Sequence, residues 1–335
     1  MADGLQGVQM SGVALDPNQQ APTAANKSAG DAGAGRGPRR EELVRAAQVA
    51  GEVEVRLSAN GVRFATFGET GVPAPDLDRM LEAVPPAIGA ALGANTYYFV
   101  PLALRESAEP EEADGFAKNV SQSPEQAMVA RAWSDELGEV AICHRNVALD
   151  REFGSGHRGV FISTRLMGDR FALSFEFFIN VAHAFVDVAG VPETFAELVW
   201  QQAVDGVRGE TSMDAWESRN LAFGREPNAQ PEEPRSRRSF TARARPFSTE
   251  EPAAVKVTPG VVDEKERGLY VESAFSDAVA IYLLSLALDF DYSELREREY
   301  PLLAPAALAA RLKLVAEMFP PNPGYQFSVR YRRRA

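Results

Sequence analysis

The chain is poor in the residues that cross-link proteins and bind soft metals. Among 335 residues there is one cysteine, Cys143, and there are three histidines, His144, His157 and His183. A single cysteine excludes an intrachain disulfide and gives no sign of an oxidising compartment. Positive charge is also scarce. Thirty-five Lys and Arg against 47 Asp and Glu leave a formal net charge of −12, which disfavours general nucleic-acid binding, because that binding works by neutralising phosphates. The opening "MADGLQGVQMSGVALDPNQQ" has no basic start followed by an apolar run. No secretory signal is expected, and the cytoplasm is the default location. Long uninterrupted apolar runs are missing too. Phe171–Val191 contains Glu176, Asn180, His183 and Asp187, which would be costly in lipid. Phe275–Phe290 is short for a membrane span. Both read as core helices, with no membrane contact.

What is present is a core. Apolar residues make up 45% of the chain, enough for one large domain or two small ones. Residues 1–40 are rich in Ala, Gly, Pro, Gln and Asn and read as a disordered tail. "EVEVRLSANGVRFATFGE" alternates around a turn tripeptide and predicts a hairpin. "PAPDLDRMLEAVPPAIGAALG" predicts helix broken at Pro85–Pro86, with Asp76 near its start. "TYYFVPLAL" predicts one buried strand, and "SPEQAMVARAWSDEL" a helix capped by Ser123. "EVAICHRNVAL" and "GVFISTRL" predict strands flanking a glycine-bearing loop. Long helices are expected from about Asp169 to Val188, at "ETFAELVWQQAVDGV" and at "LYVESAFSDAVAIYLLSLALDF", with two more helical pieces around Pro301 and Pro305. Residues 208–267 are rich in Pro, Arg and Glu and read as a flexible insertion or linker. Its basic cluster, Arg235, Arg237, Arg238, Arg243 and Arg245, is offset by nearby glutamates and reads as a solvated loop. The expected architecture is α+β: a small mixed sheet packed against several apolar helices, in one domain made from 45–205 and 268–330.

The stretch "FEFFINVAHAFVD" poses the functional question. At 3.6 residues per turn, Glu176, Asn180, His183 and Asp187 fall within a wedge of roughly 60°. Phe175, Phe177, Phe178, Ile179, Val181, Phe185 and Val186 surround them. A buried polar atom without a partner costs about 1–3 kcal/mol, so four on one line must face water, one another, a metal or a cleft. Three readings remain open: a narrow solvent face, a buried structural network, and a site or the remnant of one.

The run "GVFISTRLMGDRFALSFEFFINVAHAFVDVAG", with the later "ESAFSDAVAIYLL" and "LREREYPLLAP", resembles the layout of zincin metallopeptidases across about residues 155–320. That superfamily carries H-E-x-x-H on a helix behind an edge strand, and a later helix supplies an acidic third zinc ligand. The resemblance places His183 at the second histidine. The first then falls on Ile179 and the water-activating glutamate on Asn180. On the later helix the ligand position falls on Ser273, beside Glu272, with Asp277 in the second acidic place. Zinc needs several His, Cys or carboxylate ligands and catalysis needs a positioned base, so the resemblance implies a degenerate zincin without peptidase chemistry.

The expectation is therefore a non-catalytic, zincin-like binding or structural component that works with a protein partner and has no cofactor. The candidate polar site is Glu176, Asn180, His183, Asp187 and Asp277, with no catalytic residue assigned. The alternatives are a metal-dependent hydrolase using His183, Asp187 and Asp277, and an assembly protein using its tail and basic loop. A ligand set of Cys143, His144, His157 and His183 is opposed by strand alternation, which sends neighbours 143 and 144 to opposite faces.

Overall fold

A computed structural model of the chain describes residues 43–105, 127–154, 156–227, 262–292 and 300–328. By contacts the chain divides into Met1–Gly37 and Pro38–Ala335, and every described residue belongs to the second unit. The expected tail and the basic cluster of the insertion lie outside the described residues.

In chain order the elements begin with β1 (Leu43–Arg45), α1 (Ala46–Glu52), β2 (Arg56–Leu57), β3 (Arg63–Thr66), α2 (Ala74–Glu82) and α3 (Pro86–Ala91). Then come β4 (Asn95–Val100), β5 (Leu102–Leu104), β6 (Met128–Ala130), α4 (Asp135–Gly138), β7 (Ala141–Ile142), β8 (His144–Ala148), α5 (Asp150–Phe153) and β9 (Arg158–Ser163). The helical part follows with α6 (Arg170–Ala189), α7 (Glu193–Val204), α8 (Met213–Ala222), α9 (Glu264–Ala287) and α10 (Pro305–Met318). The fold is α+β, as expected, but two small sheets stand where one was expected. A mixed sheet runs β2-β3-β4-β9-β8, and a smaller antiparallel one runs β1-β6-β5-β7.

Two single residues carry the division between the sheets. Pro101 interrupts "TYYFVPLAL", leaving β4 in the mixed sheet and β5 in the antiparallel one. A proline cannot donate to a ladder, so it suits a change of sheet. Cys143 does the same between β7 and β8. The expected hairpin forms between β2 and β3, pairing Arg56 with Phe64 and Leu57 with Arg63. The helix expected across "SPEQAMVARAWSDEL" does not form over 128–130. Those residues are β6, paired with β1 and β5; among the described residues of that stretch only the part within Asp135–Gly138 is helical, capped by Ser134, and the expected cap Ser123 lies outside the described residues. Strand pairing overrides the helix-forming Ala and Met there.

Alternation along β4 buries both faces of the mixed sheet. Tyr97 and Phe99 join the main core with α6 and α9. Tyr98 and Val100 join a second core with α1 and the antiparallel sheet. The ring of Phe177 on α6 meets Tyr97 edge-on at 5.1 Å and lies 5.7 Å from Phe99. Asp169 caps the start of α6, its carboxylate accepting from the Ala172 amide at 2.7 Å. Both α6 and α9 are long and apolar enough to cross a membrane by length and composition. In this fold they pack on each other, and α9 is buried along nearly its whole second half.

The ordered helical part extends past the boundary expected at 208. Residues 207–212 lie between the end of α7 and α8, and Glu210 bridges to Leu302 in parallel fashion. Leu303 donates back to the Glu210 carbonyl at 2.9 Å. Gly209 has φ +79, and a Cβ there would sit 2.0 Å from the Leu302 carbonyl oxygen, so only glycine fits. Helix α8 then packs against α9. The part of 208–267 that lies outside the described residues is 228–261.

Candidate functional site

The polar line on α6 lies beside the edge strand β8. Arg158, at the start of β9, pairs with Asp187 near the end of α6 at 3.1 Å. His144, opposite Ile162 at the far end of β9, meets Glu176 in the first half of α6. Helix α6 and strand β8 therefore run in the same direction, with the polar line between them. Alternation puts Asn146 and Ala148 on the same face of β8 as His144. Arg145 and Val147 point the other way: Arg145 donates to the Leu104 carbonyl at 3.1 Å, and Val147 belongs to the second core.

Each member of the line has a different fate. Glu176 bonds His144 Nδ1 through Oε1 at 2.5 Å. That contact holds the imidazole and leaves Nε2 as its other polar atom. Asn180 is buried, and its amide donates to the Glu176 carbonyl at 2.8 Å and to Glu176 Oε1 at 3.2 Å. His183 is exposed at its edge. Crowding by protein pushes its pKa down, while Asp187 and Asp214 oppose that shift. Asp187 is exposed in its pair with Arg158. Mutating Arg158 to Ala should cost under about 1 kcal/mol, the usual worth of a solvated pair. Urea unfolding checks this, and a larger loss would mean that the pair organises α6.

Asp277 has gone elsewhere. It sits on α9 with its carboxylate accepting from Thr211 Oγ1 at 2.7 Å. Burial raises its pKa to about 6, against hydrogen bonds from Ser212 and Thr211. It shares no hydrogen bond with His183. Of the other sulfur and nitrogen candidates, Cys143 is exposed. Burial of its thiol and the charge of Glu176 raise its pKa, the opposite of what activates a thiolate nucleophile. His157 is occupied by its own loop, 3.2 Å from the Gly154 carbonyl and 6.0 Å from the Phe153 ring.

The zinc implied by the zincin resemblance does not fit this donor set. Ile179 is an apolar, half-buried side chain packed against the main core. Asp187 is committed to Arg158 and Asp277 to Thr211. Among the described residues no three His, Cys, Asp or Glu side chains group so as to hold a metal ion.

A second polar cluster, absent from the sequence reading, lies in the core next to Asp277. Glu210 is fully buried. Its carboxylate takes Arg219 at 3.0 Å, Arg311 at 2.9 Å and the Tyr270 hydroxyl at 2.7 Å. Arg219 also donates to the Gly209 and Val207 carbonyls, and Arg311 to Gln202 Oε1 at 2.8 Å. Burial works against the charge on Arg311, but Glu210 more than offsets it and its pKa rises. These bonds join the 207–212 segment to α7, α8, α9 and α10. No local sequence signal marks the cluster: Glu210 lies in "GVRGETSMD", among polar residues and glycine.

Scans of protein-family models, of curated proteins and of solved structures find no match to the chain.

Proposed function

We propose that the chain is a non-catalytic binding or structural component on a zincin-like scaffold, engaging a protein partner rather than cutting one. One observation carries the reading: Asn180, where the zincin resemblance would put the water-activating glutamate, is buried and tied by its amide to Glu176. An amide cannot take a proton at neutral pH, and a general base is typically worth about 10²–10⁴-fold. Ile179 removes a ligand at the same time, and no rotation restores one. The surface left for a partner is the face shared by α6 and β8, where His144, Asn146 and His183 reach solvent. The reading includes a cytoplasmic location and no membrane or nucleic-acid partner, in line with the acidic charge and the burial of α9.

The test is an assay of zinc-loaded full-length chain against an unstructured protein substrate, beside His183→Ala. No cleavage is expected from either protein. Cleavage that disappears both in the variant and on chelation would overturn the proposal in favour of a metal-dependent hydrolase.

A further inference from the structure

The start of α8 rests on one buried carboxyl. Asp277, on α9, takes the Thr211 hydroxyl at 2.7 Å and a hydrogen bond from Ser212. Ser212 is also the cap of α8, its Oγ accepting from the Ala215 amide at 3.2 Å. A hydroxyl has one proton to give, so while a lone pair of Ser212 serves Ala215, its proton goes to Asp277. Thr211 is held in turn by the Tyr300 hydroxyl, which donates to its carbonyl at 3.1 Å.

No cation completes this carboxyl. The charged and titratable groups around it are Glu210, Arg311 and Tyr292. Arg219 and Arg311 direct their ion pairs to Glu210, and Asp277 has no ion pair among the described residues. Burial without a counter-charge favours the neutral form and raises the pKa to about 6. The first turn of α8 carries a second burden that has nothing to do with charge. The Trp216 side chain is buried, and its indole N–H has no hydrogen-bond partner among the described residues. A buried donor left unmade is a standing cost of the closed state. Moving the first turn of α8 away from α9 relieves both.

We propose that Asp277 is a proton-controlled latch on the first turn of α8. With the carboxyl neutral, the turn stays seated on α9. When it ionises, residues 211–216 open locally, which brings the carboxylate and the Trp216 N–H to water while α9 stays folded. The opening also moves Asp214, whose charge acts on His183 of α6, so the latch alters the charge of the face shared by α6 and β8. The latch itself does not depend on what that face binds.

Amide hydrogen exchange of the full-length chain tests it, read residue by residue by NMR between about pH 4 and about pH 7 and corrected for intrinsic rates. The Ala215 and Trp216 amides should be less protected than the core amides of α9 at every pH. Their protection should fall by about tenfold or more as pH rises, because the open state releases the proton that the closed state holds. Asp277→Asn should abolish the fall. The parent profile alone decides if the variant does not fold. Flat protection at these two amides in the parent would overturn the proposal. So would protection equal to that of α9, which would mean that the carboxyl reaches water only on global unfolding. The same fall in a folded Asp277→Asn would overturn it too, by assigning the titration to another group.

Discussion

Glu210→Ala is expected to leave the chain unfolded, or close to it, at 25 °C. The substitution strands Arg311 and Arg219, whose side chains are 0% and 6% exposed. Removing one partner of a buried ion pair typically costs about 3–5 kcal/mol, because the remaining charge stays buried without compensation. Here one carboxylate serves two arginines and a tyrosine, so the cost should reach the upper part of that range. Native domains hold only about 5–15 kcal/mol in total. The damage would spread through the 207–212 segment, which Arg219 also holds by the Gly209 and Val207 carbonyls. Soluble yield and the urea midpoint by circular dichroism give the readout. A loss below about 1 kcal/mol, the size of a solvated pair, would show that water reaches the cluster and that it does not organise the helical half.

The second large effect is a pH dependence centred on Asp277. Its carboxyl has a pKa of about 6 in the fold against 3.8 in the unfolded chain, chiefly because burial disfavours the charge. Thr211, Ser212, Glu210 and Arg311 are the groups that face it. A raised carboxyl pKa means that the folded state holds a proton the unfolded state has released. Stability from this group is therefore full below the lower value and falls as pH climbs through the window to the upper one. By linkage the fall is at most about 3 kcal/mol. Asp277→Asn keeps the shape and removes the titration, so the stability difference between parent and variant should slope across that window. Urea unfolding at half-unit steps of pH measures it. A flat difference would mean that Asp277 is charged at all these pH values and counts as the second anion of the Glu210 cluster.

The features that sequence reading located were those carried by local pattern. The apolar run marked α6 almost to the residue, about Asp169 to Val188 against Arg170–Ala189, and alternation around "ANG" marked the β2–β3 hairpin. The α+β class followed from such segments. The β6 region failed because "AMVARAW" contains good helix formers, and only its partners in β1 and β5 make it a strand. Helix α8 failed for a different reason. Its buried side includes Arg219 and Asn220, so it looks like solvent-facing polar sequence, and the Pro- and Arg-rich stretch after it hid it further.

The same logic divides the candidate site. Glu176 and Asn180 do interact, as their spacing on one helix face implies. The partner that completes them, His144, comes from a strand 32 positions earlier, and no local pattern announces it. Asp277 was singled out by the zincin alignment, yet its hydrogen bond goes to Thr211. The Glu210 cluster depends on Arg311, 101 residues away. A buried glutamate in an Arg- and Glu-rich stretch has no signature until the fold removes its water.

The central claim is that the polar line of α6 is not a metal centre. Elemental analysis of the full-length chain, purified without chelators or metal-affinity steps, tests it most directly. The account predicts zinc and other transition metals far below one atom per chain, with no difference between the parent and His183→Ala. Near-stoichiometric metal in the parent that is lost in His183→Ala would contradict it.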